Sequence, residues 1–66
     1  MDTKQFIRTV RFYINLSVRE FAALIDVDPR NVYRWEAGDN EPSGSIILRI
    51  LKLCKEQGID LDDLVF

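Results

Sequence analysis

The chain has 66 residues, 47% of them hydrophobic and 30% charged, a composition that excludes a disordered segment and predicts one small folded domain over residues 1–66. Its nine basic and eleven acidic residues give a net charge of −2, and it contains no histidine and a single cysteine, Cys54. Without histidine and with one cysteine, the chain cannot form the common zinc sites, an internal disulfide, or a Ser-His or Cys-His catalytic pair. We therefore expect that it is not an enzyme and that it binds no metal and no cofactor.

The expected location of the chain is the cytoplasm. The longest unbroken apolar run, Phe21–Ile25, is far shorter than a membrane span, and the N-terminal sequence MDTKQF lacks the features of an export signal. A single cysteine also suits a reducing compartment. We therefore predict a cytoplasmic protein with no membrane partner.

Helical periodicity begins close to the N-terminus. A first helix is predicted from a cap at Asp2 or Thr3 to a left-handed turn at Asn15. The segment Ser17-Val18-Arg19-Glu20 has the pattern of a capping box, which predicts a second, short helix that continues through Ile25.

A third helix follows a tight turn. Asp26 accepts left-handed backbone geometry, Asp28 is a good N-cap, and Pro29 suits the first helical position because no N–H partner is needed there. The helix is expected to run to about Ala37 and to end at Gly38.

Two more helices are predicted after an acidic loop. The fourth begins at Ser43 or Ser45 and continues to about Gln57, and Asp60 caps a short fifth helix over Leu61–Phe66. Five helices without a strand account for the whole chain, so the predicted fold class is all-α.

Several positions agree with one known pattern. They are Leu16, Ala22, Val27, Val32, the WExG element Trp35-Glu36-Ala37-Gly38, the pair Pro42-Ser43, and the closing Gly58-Ile59-Asp60-Leu61-x-x-Leu64. Over LSVREFAALIDVDPRNVYRWEAGDNEPSGSIILRILKLCKEQGIDLDDL the chain resembles the Cro/Xre-type, lambda-repressor-like DNA-binding domains. The resemblance implies a compact five-helix lambda-repressor-like domain whose second and third helices form a helix-turn-helix.

The chain departs from the family pattern where DNA contacts are usual. Val18 stands where many members have a phosphate-binding glutamine, and Pro29 replaces a polar first residue of the recognition helix. The loop Asp39-Asn40-Glu41 is acidic where it is often basic. We therefore expect fewer backbone contacts than in a typical member.

The third helix carries the predicted DNA-reading residues. Arg30 and Arg34 share one face with Asn31 and Tyr33 beside them, and an arginine can donate two hydrogen bonds to a guanine. The same arginines could instead form an ordinary solvated helix face. Ala22, Val32 and Trp35 are the expected anchors that hold this helix on the core.

The predicted phosphate contacts lie at the starts of the second and fourth helices. Their residues are Ser17, Arg19, Ser43 and Ser45. Residues 1–35 contain six Lys/Arg and four Asp/Glu, whereas residues 36–66 contain three and seven, so the acidic half is expected to face away from DNA. The family resemblance implies a structural ion pair between Arg11 and Glu36.

The fourth helix has two apolar stripes, of which only one is needed for the core. We assign the stripe with Ile46, Ile50 and Leu53, together with Val65 and Phe66, to a homodimer interface. Ile47, Leu51 and Cys54, with Leu48, would then complete the core. Alternatively, the fifth helix covers the surplus within one chain.

The predicted function is a sequence-specific regulator that binds double-stranded DNA. The implied form is a small phage-type or autoregulatory repressor that binds a palindromic operator as a dimer through the major groove. The alternative is a protein-interaction module of antitoxin type, in which the same fold binds a protein partner.

Overall fold

The computed structural model describes residues 2–60, which form four α-helices and no strand. The helices are α1 (Thr3–Tyr13), α2 (Val18–Leu24), α3 (Pro29–Ala37) and α4 (Gly44–Glu56). The all-α class is confirmed over this range, while the predicted fifth helix, Leu61–Phe66, lies outside the described residues. None of the four helices is long and apolar enough to cross a membrane.

Each helix begins at a side-chain cap. Asp2, Ser17, Asp28 and Ser43 accept a hydrogen bond from a backbone N–H in the first turn of α1, α2, α3 and α4, respectively. Ser17 and Glu20 complete the predicted capping box. Such caps typically contribute about 1 kcal/mol each, because the first-turn N–H groups have no partner within the helix.

The turns between the first three helices use left-handed backbone at polar residues. Asn15 has a φ of 56° and Asp26 a φ of 59°, a region in which Asn and Asp are enriched among residues other than glycine. Gly38, with a φ of 81°, ends α3 in the same conformation. The short turns bring α2 and α3 into contact, and α3 also packs on α1.

The core draws side chains from all four helices. Its buried members are Ile7, Val10, Phe21, Ala22, Ile25, Val32, Trp35, Ile50, Leu53, Cys54 and Ile59. Burial raises the pKa of the Cys54 thiol, as expected for a small apolar core residue. The third helix therefore packs on the core through Val32 and Trp35, while Arg30, Tyr33 and Arg34 are exposed to solvent.

The orientation of α4 corrects the predicted dimer surface. Ile50 and Leu53 are buried within the chain, and Ile46 is half-buried against the same core. The prediction that Ile50 and Leu53 face a partner subunit is therefore wrong. Leu48, expected in the core, is 67% exposed, because it lies two residues from Ile50 and so on the opposite side of the helix. Val65 and Phe66 lie outside the described residues.

Candidate nucleic-acid interface

The third helix has one buried side and one exposed side. Val32 and Trp35 are buried in the core, and Ala22 of α2 is buried in the same core. Arg30 and Arg34 are exposed on the other side of the helix, about 6 Å apart along its axis. The three predicted anchors thus hold α3 by the side opposite to its arginines.

The two uncharged residues of the predicted reading set differ in accessibility. Tyr33 is 57% exposed, so its ring and hydroxyl are open to a ligand. Asn31 is less accessible than Tyr33, since it is half-buried, and its backbone N–H donates to the carbonyl of Asp28 at 2.9 Å. Tyr33 therefore extends the surface of Arg30 and Arg34, whereas Asn31 lies at its margin.

Arg30 is engaged by the residue that caps its own helix. Its Nη2 donates to Asp28 Oδ2 at 2.9 Å and its Nε to Oδ1 at 3.3 Å. The guanidinium and the backbone N–H of Arg30 together lower the pKa of Asp28 to about 2. The carboxylate is therefore ionised at neutral pH, and the two hydrogen bonds join Asp28 and Arg30 in a charged fork.

Arg34 makes no side-chain hydrogen bond or ion pair among residues 2–60, so its donors are available to a ligand. It lies close enough to Asp28 for its charge to contribute to the lowered pKa of that carboxyl. Asp28, Arg30 and Arg34 together carry one net positive charge. These three residues thus form a locally positive group on a chain whose net charge is −2.

The four residues predicted to contact phosphates are exposed, in two pairs. Ser43 Oγ lies 3.0 Å from Ser45 Oγ at the start of α4. At the start of α2, Ser17 Oγ accepts from the Glu20 N–H, and the Ser17 N–H donates to the Glu20 carboxylate. These bonds lower the pKa of Glu20, so a phosphate there would meet a negative charge that Arg19 must offset.

Arg11 of α1 and Glu36 of α3 form an ion pair, as the resemblance implied. Two hydrogen bonds of 2.9 Å join them, and Glu36 is only 8% exposed. Arg8 Nε lies 3.6 Å from Glu36 Oε1 as a second, more exposed cation. Both arginines are therefore directed at Glu36, and Arg11 belongs to the support of α3 and not to its exposed side.

A family model described as helix-turn-helix matches residues 14–64, which is more than half of the chain and includes α2, α3 and α4. The chain belongs to this helix-turn-helix family. The resemblance to Cro/Xre-type domains is thereby confirmed, and with it the class of DNA-binding regulator. Comparison with curated proteins and with solved structures gives no significant match.

One residue that positions the helices of this helix-turn-helix protein was missed from the sequence. Arg49 of α4 donates through Nη1 to the carbonyl of Ile25 at 3.1 Å and lies 3.5 Å from that of Asp26. It thereby ties α4 to the turn between α2 and α3. A basic residue between two apolar stripes reads as an ordinary surface position, so the sequence carries no signal for this contact.

Proposed function

We propose that α2 and α3 are the helix-turn-helix of a sequence-specific repressor and that α3 enters the major groove of its operator. Arg30 and Arg34 would read guanines, while Tyr33 and Asn31 would contact a thymine methyl, an adenine or a phosphate. The observation that carries the proposal is the division of α3 into a side anchored by Val32 and Trp35 and an opposite side bearing two exposed arginines.

Contacts to the DNA backbone would flank this helix. Ser17 and Arg19 at the start of α2, and Ser43 and Ser45 at the start of α4, are exposed and have hydroxyl or guanidinium donors. Such contacts set the register of the protein on the duplex without reading its sequence. The acidic loop and Glu20 keep their number low, so sequence-independent affinity should be modest.

The proposed binding unit is a twofold dimer on a palindromic operator, since two half-sites read by one helix each require a symmetric pair of subunits. We place the contact between the subunits on the outer side of α4, where Leu48 is exposed, because Ile50 and Leu53 are buried within the chain. We place this regulator in the cytoplasm, where it would repress by occupying its operator.

The experiment is a fluorescence-anisotropy titration with an operator selected from a random duplex library, repeated over a range of salt. R30A and R34A should each weaken binding to that operator by about 1–3 kcal/mol and relax the base preference at one position per half-site. K4A removes the same charge from an exposed position at the start of α1, away from the proposed dimer side of α4, and is the matched control, which should change affinity little. Absent or salt-insensitive DNA binding would contradict the proposal and favour the protein-interaction alternative.

A further inference from the structure

We infer that Asp28 is a positioning residue that holds the guanidinium of Arg30 in the orientation needed to recognise guanine. The inference rests on the proposed role of α3 in the major groove and adds a determinant of specificity to it. Asp28 itself would not touch a base.

The carboxylate of Asp28 is held by a backbone N–H as well as by the Arg30 side chain. Its Oδ1 accepts the backbone N–H of Arg30 at 2.9 Å as the cap of α3. With one oxygen held by the backbone, the second oxygen has a defined direction, and Arg30 Nη2 donates to it at 2.9 Å. A flexible side chain is thereby tied to the rigid start of the helix.

The fork uses an edge of the guanidinium that base recognition does not need. Arginine has five N–H donors, and Asp28 engages Nε and one hydrogen of Nη2. Both hydrogens of Nη1 and the second hydrogen of Nη2 remain, and the edge between these two nitrogens presents the parallel pair of donors that guanine O6 and N7 accept. The Arg30 side chain is 80% exposed, so this edge is accessible.

Helix capping alone does not account for an acid at this position. Asparagine and serine cap helices about as well as aspartate, and an ion pair this exposed adds little stability. Near DNA the carboxylate also repels phosphates. The negative charge of Asp28 thus lowers the affinity for any duplex. On the operator this loss is offset, because Asp28 also orients Arg30 toward its guanine. Together the two effects raise the ratio of specific to non-specific binding.

The test compares D28N and D28S, both of which retain a capping side chain, with the wild-type protein. The operator is first selected with wild type, and the guanine read by Arg30 is identified as the one that R30A no longer requires. Affinity is then measured for this operator, for the operator with that guanine replaced, and for a non-specific duplex. Circular dichroism verifies that each variant keeps its helices.

Loss of the fork should move two quantities in opposite directions. The preference for that guanine should fall by about three- to tenfold in D28N and D28S. The loss is smaller than that of a whole bidentate contact, because Arg30 is still present but less well oriented. Affinity for the non-specific duplex should rise by about two- to fivefold, since a repulsive charge is gone. In the R30A background, D28N should leave the base preference unchanged.

Other outcomes separate the possible failures. A fall in affinity for all three duplexes would show that Asp28 acts only as a helix cap. A uniform rise in affinity with an unchanged guanine preference would show that Asp28 only repels DNA. Either result would overturn the inference. A wild-type operator in which no guanine depends on Arg30 would also overturn the inference. Failure of wild type to bind any duplex would instead overturn the proposed function.

Discussion

Arg11 and Glu36 join the first and third helices through two parallel hydrogen bonds, Nε to Oε2 and Nη2 to Oε1, each 2.9 Å long. The pairing with Glu36 raises the pKa of Arg11. Arg11 Nη1 also donates to the carbonyl of Leu16 at 3.2 Å. One guanidinium therefore fixes the end of α3 and the turn before α2 at the same time.

Breaking this pair should be costly because the surviving partner stays out of water. We expect E36A to reduce the free energy of unfolding by about 3 kcal/mol, as is usual when one member of a buried ion pair is removed. Urea unfolding followed by the fluorescence of the buried Trp35 measures it. E56A, at an exposed acid of α4, is the control; equal effects of the two substitutions would contradict the structural role.

Much of this arrangement follows from local sequence, and the exceptions have a physical cause. The caps at Ser17 and Asp28 and the left-handed turn at Asp26 depend on the residues themselves, so they could be predicted. The inward side of α4 could not, because both of its sides are apolar, and the contact of Arg49 with carbonyls far away in the sequence helps to orient it. The fork between Asp28 and Arg30 depends on rotamers, which composition and spacing do not specify.

Arg49 provides a direct test of how the turn before α3 is held. R49M should reduce the free energy of unfolding by about 1–2 kcal/mol, because the backbone carbonyl of Ile25 loses a charged donor at 3.1 Å. The measurement is again urea unfolding. K52M introduces methionine at a neighbouring exposed cation of α4 and should have a smaller effect on the free energy of unfolding. If both variants behave alike, the contact does not stabilise the fold.

Acid should weaken the contribution of Asp28 to stability. The carboxyl has a pKa of about 2 in the folded protein, below its ordinary value of 3.8, chiefly because Arg30 donates to it. A group whose pKa is depressed by folding stabilises the fold above its ordinary pKa, and this contribution is lost as the pH falls toward the folded value. The relevant window is therefore about pH 4 to 2.

The measurement is the difference in thermal midpoint between wild type and D28N as a function of pH. Wild type should be more stable than D28N near neutrality by only a small margin, because the ion pair is exposed. That margin should shrink across the acid window, since a protonated Asp28 resembles asparagine. Glu20, whose pKa is also lowered, is present in both proteins and cancels from the difference. A difference that does not change with pH would show that the charge of Asp28 does not stabilise α3.

The outer side of α4 is the place to test self-association. Leu48 is 67% exposed on it, and Leu24 of α2 is 55% exposed and serves as a matched control. If two copies pair through α4, L48E should shift the sedimenting species from dimer to monomer, because a carboxylate cannot be buried there without a partner. L24E adds the same charge elsewhere and should leave the dimer intact. A dimer that survives L48E would move the interface to another surface, and a wild-type monomer that binds its operator as one subunit would overturn the twofold arrangement itself.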